Sequence, residues 1–133
     1  MLETFLQGAE TDARLFGLVG RLALSPAVHK SLGNAVSSED GDWWFVNTRP
    51  SDIPDGFAQM RVNASSVHLR YCYSDKASIK MYMIKAALRK AKELGASIIF
   101  TNERKGDDVL PGMGFTAVPS KRKGDFVRWE KTL

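Results

Sequence analysis

Residues 67–101 decide the fold, and they read VHLRYCYSDKASIKMYMIKAALRKAKELGASIIFT. At the start of this stretch apolar and polar residues alternate, as in a β-strand with two different faces. Over residues 77–94 the period becomes that of a helix with one apolar stripe, and Gly95 follows as a C-terminal stop. Residues 97–101 form a short apolar strand. A strand, helix and strand in this order predict a parallel pair joined by a right-handed crossover.

Two further strands are expected before this unit. Residues 43–48 and 57–62 are rich in aromatic and β-branched side chains, and turn residues follow each of them. With the strand that begins at residue 67, they predict an antiparallel meander. The other predicted elements are a strand at 3–7, a helix capped at Thr11-Asp12 that Pro26 ends or restarts, a loop at 33–41, a helical turn at 107–113, and strands at 116–118 and 126–131.

The composition limits the class of protein. The chain has 133 residues, 44% hydrophobic and 26% charged, which fits a single domain over residues 1–133 with a real core. Cys72 is the only cysteine, so an intramolecular disulfide and a cysteine-built metal site are excluded. Two histidines and scattered carboxylates show no metal-ligand spacing, so no metal is expected. No apolar run approaches the ~20 residues that span a bilayer, and we expect a soluble cytoplasmic protein.

The charge leaves several partners open. The formal charge is +4 and the pI is about 9.3, with the basic excess between residues 76 and 92 and between residues 121 and 123. Such a surface could attract a nucleotide cofactor, a nucleic acid or an acidic protein. Solvated helix and hairpin faces explain the same charges without a partner. Charge alone therefore does not identify the function.

Two segments carry a resemblance to a known family. Residues 86–96 read AALRKAKELGA, and residues 113–115 read MGF. The first resembles the helix after the cofactor loop of the GNAT (general N-acetyltransferase) superfamily, and the second resembles the Gly-Phe that closes that family's last helix. With the order of elements, the resemblance covers nearly the whole chain. It implies an α/β (α+β) fold with a mixed, mostly antiparallel sheet, one central parallel pair and helices on both faces.

The resemblance also implies acetyl-CoA, or another acyl-CoA, as the donor of an acyl group to an amine. In the family a glycine-containing loop holds the pyrophosphate at a helix N-terminus, where unsatisfied N–H groups and the helix dipole favour an anion. The corresponding residues here are 75–80, in which Ser78 and Lys80 replace two glycines. Asp75 is otherwise a helix cap, and Lys80 otherwise reaches into solvent. The residues that the resemblance places at the cofactor are Tyr71, Cys72, Lys76, Ser78, Ile79, Lys80 and Asn102.

The catalytic residues are also implied by the resemblance. The family's usual general acid is a tyrosine shortly before the Gly-Phe, and Leu110 stands at that position here. Tyr73 is the substitute that the resemblance suggests. A general base needs a pKa near the working pH, and Glu103 and His68 are the candidates. The structural alternatives are a core role for Tyr73, a solvated loop for Glu103 and an ordinary strand position for His68.

A second kind of function stays open. A GNAT-fold domain without catalysis would serve as a binding or structural protein, and small chains with this fold and altered motifs resemble GNAT-like proteins of tailed phages, some of which contact DNA. Arg49, Arg61, Arg70 and the basic turn at 121–123 could contact phosphate. An exposed ring of the adjacent Trp43-Trp44 pair would indicate a partner surface, whereas helices on both faces would cover both rings.

Overall fold

The computed structural model describes residues 1–119 and 124–133, and its centre is a seven-stranded sheet. The strands are β1 (Leu2–Leu6), β2 (Trp43–Arg49), β3 (Ile53–Asn63), β4 (Ser66–Ser74), β5 (Ile98–Arg104), β6 (Thr116–Ala117) and β7 (Phe126–Thr132). The helices are α1 (Asp12–Ala23), α2 (Pro26–Leu32), α3 (Ala77–Glu93) and α4 (Val109–Gly112), with a 3₁₀ turn at Pro50–Asp52. The strand order is β1-β2-β3-β4-β5-β7-β6. The predicted basic turn at 121–123 lies outside the described residues.

The mixed sheet confirms the predicted fold class. Every neighbouring pair of strands is antiparallel except β4 and β5, which are parallel and have α3 as their crossover. Among the helices that the structure describes, none is both long enough and apolar enough to cross a membrane.

The parallel pair is short, and this creates a gap in the sheet. Residues 66–68 of β4 pair with residues 98–100 of β5, and the described chain forms no further pair between these strands. β4 nevertheless continues to Ser74, and β5 continues to Arg104. The two strands therefore separate towards their C-terminal ends.

Helices cover both faces of the sheet, as predicted. The apolar stripe of α3 buries Met83 and Ala87 against one face. On the other face, α1 and α2 bury side chains that include Leu15 and Val28. Pro26 is the first residue of α2, so it restarts a helix instead of ending the helical region.

The two adjacent tryptophans of β2 are covered from opposite sides. Trp44 is buried in the core under α1, and its indole N–H donates to Gln7 Oε1 at 2.9 Å. Trp43 is half-buried on the α3 face, where the ammonium of Lys90 lies 4.7 Å from its ring centre. Neither ring forms the exposed partner surface that the sequence left open.

A β-bulge reverses the side chains of β4 halfway along the strand. Tyr71 pairs with Gln59 and Leu69 pairs with Met60, so Arg70 is an extra residue with no Cα partner on β3. Leu69 accordingly lies in the core under α3, whereas Tyr71 lies in the core under α1 and α2. The prediction of strict alternation along β4 is therefore wrong beyond Leu69.

Two local predictions near the site are corrected. β5 runs to Arg104 because β7 pairs with it as far as Phe126, so Asn102 and Glu103 lie within a strand and Glu103 is not a loop residue. Asp75 is not the cap of α3. Lys76 takes that position with an extended backbone, and it makes no side-chain capping hydrogen bond.

Candidate active site

An open cleft of about 730 Å³ lies where β4 and β5 separate. Its floor is formed by β4, β5 and β7 on the face of the sheet that α1 and α2 cover, and the C-terminal end of α2 forms a wall. The cleft is lined by Leu32, Gly33, Asn34, His68, Arg70, Tyr71, Asn102, Val118, Pro119, Phe126, Val127 and Arg128.

Three side chains on adjacent strands are stacked together, and two of them, His68 and Arg128, line the cleft. His68 of β4 and Phe100 of β5 are ladder partners, and their rings stack with centroids 4.4 Å apart and planes 13° apart. From the other neighbouring strand, the guanidinium carbon of Arg128 lies 3.9 Å from the Phe100 ring centre. Asn102 is the direct ladder partner of Arg128. The sheet register therefore brings an imidazole, an amide and a guanidinium to one place.

His68 is held in its neutral form. Burial lowers the pKa of His68 to about 4, and the positive charges of Arg70, Arg128 and Arg61 act in the same direction. At neutral pH the imidazole therefore offers one N–H donor and one nitrogen lone pair. The cleft is in consequence an environment that resists additional positive charge.

A strap formed by residues 33–37 begins at the wall of the cleft, where Gly33 and Asn34 line it, and is held at both ends. At one end, Gly33 has φ +81°, and an added Cβ there would lie 2.8 Å from Phe126 Cζ. At the other end, the Tyr71 hydroxyl donates to the Ala35 carbonyl at 3.2 Å and accepts from the Ser37 amide at 3.2 Å. A glycine is required at the first of these contacts, because both the backbone conformation and the ring exclude a side chain.

Arg70 anchors the same strap. Its guanidinium donates to the Ser37 carbonyl at 3.0 Å and to Gln59 Oε1 at 2.6 Å, and it lies 3.6 Å from the buried carboxylate of Asp42. Asp42 also accepts two hydrogen bonds from Arg61, at 2.7 and 2.9 Å. The bulge at Arg70 thus places this cation at the edge of the cleft while its hydrogen bonds hold the strap.

The α3 face of the gap is filled by an ion cluster. The ammonium of Lys80 lies 3.5 Å from Glu103 Oε2 and 3.8 Å from Asp107 Oδ1, and the cavity left beside them measures only about 10 Å³. Burial opposes the charge of Lys80, but these carboxylates outweigh it and raise the pKa of Lys80. Cys72 lies in the same place, and its burial raises the pKa of its thiol to about 12. This thiol is protonated at neutral pH and is not a nucleophile.

The start of α3 has fewer free donors than the sequence suggested. The amides of Ile79 and Lys80 both donate to the Lys76 carbonyl at 3.1 Å. Within the described residues, the amides of Ala77 and Ser78 have no such acceptor, as is usual in a first helical turn. Lys76 and Ser78 are exposed, whereas Ile79 packs against the core under α3.

The residues predicted from the sequence fall into three groups. Tyr71 and Asn102 line the open cleft. Cys72, Lys80 and Glu103 meet on the opposite face of the sheet. Lys76, Ser78 and Ile79 lie at the start of α3, as expected from the crossover.

The two predicted catalytic residues are not brought together. Tyr73 packs with Phe57 in the core under α1 and α2, with ring centroids 6.2 Å apart. Glu103 lies on the α3 face and is paired with Lys80. The catalytic roles of Tyr73 and Glu103 stay predictions, while His68 is the candidate base that lies in the cleft.

Sequence reasoning missed Arg128, Phe100 and Gly33. Arg128 and Phe100 meet only through the register of β5 and β7, and no local pattern contains that register. Gly33 did carry a signal, because a glycine after an apolar helical stretch predicts a C-cap, and it is the C-cap of α2. Its contact with Phe126 is a tertiary feature.

Comparisons with known proteins identify the fold. No known family profile matches the sequence, and no curated protein matches it significantly. An acyl-CoA N-acyltransferase from Pseudomonas aeruginosa superposes with a TM-score of 0.75 over 98% of both chains, at 11% identity. ElaA from Escherichia coli gives a TM-score of 0.74 over 98% of both chains, at 9% identity. A GNAT-family acetyltransferase from Staphylococcus aureus Mu50 gives 0.65 over 99% of both chains, at 10% identity.

These identities are too low to transfer a substrate or a catalytic residue, but the superpositions cover nearly the whole chain. They agree with the mixed sheet, its single parallel pair and the helices on both of its faces. The resemblance inferred from residues 86–96 and 113–115 is thus confirmed at the level of the fold. The chain has the fold of the GNAT acetyltransferases.

Proposed function

We propose that the chain is an acyl-CoA-dependent N-acyltransferase, which moves an acetyl or other acyl group from a thioester to an amine. The observation that carries this proposal is the end of the β4–β5 ladder after three residue pairs, directly beside the open cleft. A gap between two strands gives an extended ligand access to backbone groups, and the cleft gives a second ligand a place beside it. The fold shared with acyltransferases supports the same function.

The donor would lie along the gap. Beyond His68 and Phe100, backbone groups of β4 and β5 that face each other have no ladder partner in the described part of the chain. The pantetheine arm of acyl-CoA contains two amide groups, which can pair with a strand edge as another strand would. Tyr71 and Cys72 lie on this part of β4.

The pyrophosphate would bind at the start of α3. The free amides of Ala77 and Ser78 point out of a helix N-terminus, which favours an anion, and the exposed Lys76 adds positive charge. Lys80 contributes less, since its ammonium is held by Glu103 and Asp107.

When bound, acyl-CoA supplies an activated thioester, so that the amine nitrogen gains the acyl group and loses a proton while CoA leaves as the thiol. The cleft residues prepare the amine. The guanidinium groups of Arg70 and Arg128 disfavour an ammonium and so lower the pKa of a bound amine. The neutral imidazole of His68 can accept a proton directly or through water, although its low pKa makes it a weak base. Asn102 offers an amide that can orient the nucleophile.

The second candidate is a GNAT-fold binding protein without catalysis, and two observations favour it. The Lys80 cluster fills the α3 side of the gap. Leu110, at the position where the family's acid would stand, is buried in the core. A protein or nucleic acid would then be the partner, as the basic pI allows.

A charge reversal tests the donor site. Lys76→Glu replaces a cation with an anion at the start of α3, and we expect acetyl-CoA binding to weaken by about tenfold or more, because charge-assisted contacts to phosphate are strong. Lys85→Glu is the matched control, since Lys85 is exposed on the same helix two turns later. Equal affinity of both variants and the unmodified protein would refute this phosphate site.

A further inference from the structure

The cleft has an unusual balance of charge for a protein that binds an amine. Two arginines and one histidine line it, and no aspartate or glutamate is present among its described lining residues. An amine that binds as an ammonium needs an anionic or carbonyl partner to offset its lost hydration. The side chains of this cleft offer no charged partner of that kind.

Of the two arginines among the described lining residues, Arg128 is the more exposed and so the more accessible to a ligand. Its Nε–H donates to Glu130 Oε1 at 2.6 Å, and in the described part of the chain its two terminal amino groups have no acceptor. Its guanidinium is also oriented by its contact with the Phe100 ring. A planar fork of donors held in this way suits a carboxylate or phosphate oxygen pair.

Arg70 and His68 reinforce this preference in different ways. Arg70 donates its hydrogen bonds to Ser37 of the strap and to Gln59 of β3, so it contributes positive potential more than direct contacts to a ligand. His68 adds a neutral ring whose N–H can donate to an anion. Leu32 and Val118 add apolar groups to the lining of the cleft beside these polar side chains.

We propose that the amine acceptor of this cleft also carries an anionic group, a carboxylate or a phosphate, which Arg128 binds beside the stacked rings of His68 and Phe100. The amine part of this assignment rests on the proposed function, whereas the anion part rests on the cleft itself. We expect polycationic amines to bind poorly on the same ground, because the described lining residues include no carboxylate for their additional charges.

The ring protons of His68 give a direct readout by NMR. The chain has only two histidines, so a His29→Gln variant assigns both sets of imidazole signals. The probes are γ-aminobutyrate and 1,4-diaminobutane, which have the same carbon chain and differ in one terminal group. O-phosphoethanolamine and ethanolamine form a second pair, which separates phosphate from carboxylate. No acyl donor is added.

We expect the anionic probes to shift the His68 signals saturably and the diamine and ethanolamine to leave them unchanged. Arg128→Gln should weaken binding of the anionic probe by about tenfold, and Arg128→Lys should restore part of it. Arg21→Gln is the matched control, because Arg21 is an exposed arginine of α1 outside the cleft.

Three results would overturn the proposal: a diamine that shifts His68 as strongly as aminobutyrate, an Arg128→Gln variant that binds as the unmodified protein does, or no response to any anionic probe. This NMR titration tests the acceptor site separately from acyl-CoA binding. A His68 response without acetyl-CoA binding would keep the anion site and refute the transferase, and the reverse would keep the transferase and refute this acceptor class.

Discussion

Leu69 and Tyr71 are two residues apart on one strand, yet their side chains lie in cores on opposite faces of the sheet. The extra residue between them, Arg70, is the cause. This bulge lies just beyond the last β4–β5 pair, at the point where the cleft begins. It directs the Tyr71 hydroxyl to the strap beside the cleft and leaves Arg70 at the cleft edge.

The hydroxyl of Tyr71 should control the mobility of the strap. Tyr71→Phe removes the acceptor of the Ser37 amide and the donor to the Ala35 carbonyl, and one hydrogen bond is worth about 1 kcal/mol. We expect hydrogen exchange of the Ser37 amide to accelerate about fivefold. Tyr82→Phe, at an exposed tyrosine of α3, is the control and should leave it unchanged. The role assigned to the hydroxyl is wrong if both variants exchange alike.

Stability should depend on pH through His68. The unfolded chain binds a proton at His68 with a pKa near 6.5, whereas the folded protein does so only at about 4. The unfolded state therefore binds more protons between these values, and the contribution to stability is fully present above about pH 6.5 and is lost as the pH falls towards 4. The difference between these two pKa values corresponds to about 3 kcal/mol, and because His68 is only half-buried we expect solvent screening to reduce the loss to on the order of 2 kcal/mol.

Urea unfolding between pH 4 and 7 measures this contribution. Carboxylates also titrate in this range, so the informative quantity is the difference between variants. His68→Gln should flatten the pH dependence relative to the unmodified protein, and Arg21→Gln, at an exposed arginine of α1, should not. Parallel curves for all three proteins would show that His68 is not held neutral by the fold.

The Lys80 cluster should be stabilising as a unit. Lys80→Met leaves Glu103 and Asp107 close together on the α3 face without their shared cation, and we expect a loss of about 1–3 kcal/mol in the free energy of unfolding. Lys85→Met, on the exposed face of the same helix, should change it by less than about 0.5 kcal/mol. Equal effects of the two substitutions on the urea midpoint would show that the Lys80 cluster does not stabilise the fold.

A side chain at Gly33 should destabilise the protein. Gly33→Ala meets both a positive φ of 81° and the Phe126 ring, whereas Gly41→Ala meets a φ of 98° with no neighbouring atom within 4 Å. The control thus carries the backbone strain alone, about 1–2 kcal/mol. We expect Gly33→Ala to cost about 1 kcal/mol more, in thermal or urea unfolding. Equal losses of stability in the two variants would mean that the Phe126 ring moves aside for the added methyl group without an energetic cost.

The sequence predicts the fold well because its main signals are local. The change from a period of two to a helical period near residue 77, and the stop at Gly95, mark a strand, a helix and a strand in order. The handedness rule then predicts a right-handed crossover, and the structure confirms that the two strands form a parallel pair with α3 between them. All of these signals lie within residues 67–101.

The candidate site depends on features that are not local. The bulge at Arg70 arises from pairing with β3, and it changes which residues of β4 face the cleft. Arg128 reaches Phe100 only through the register of β5 with β7. Lys80 follows helical spacing and would be a surface lysine by sequence, but α3 packs so that its ammonium meets Glu103. The positions of Arg70, Arg128 and Lys80 therefore depend on strand pairing and helix packing between segments that are far apart in the sequence.

Calorimetric titration of the folded protein with acetyl-CoA, at low and at moderate salt, tests the central claim most directly. The proposed transferase predicts saturable binding that weakens with salt, because phosphate contacts at the start of α3 contribute to it. The absence of any binding heat at either salt concentration, in protein shown to be folded by circular dichroism, would contradict the transferase and favour the non-catalytic binding protein.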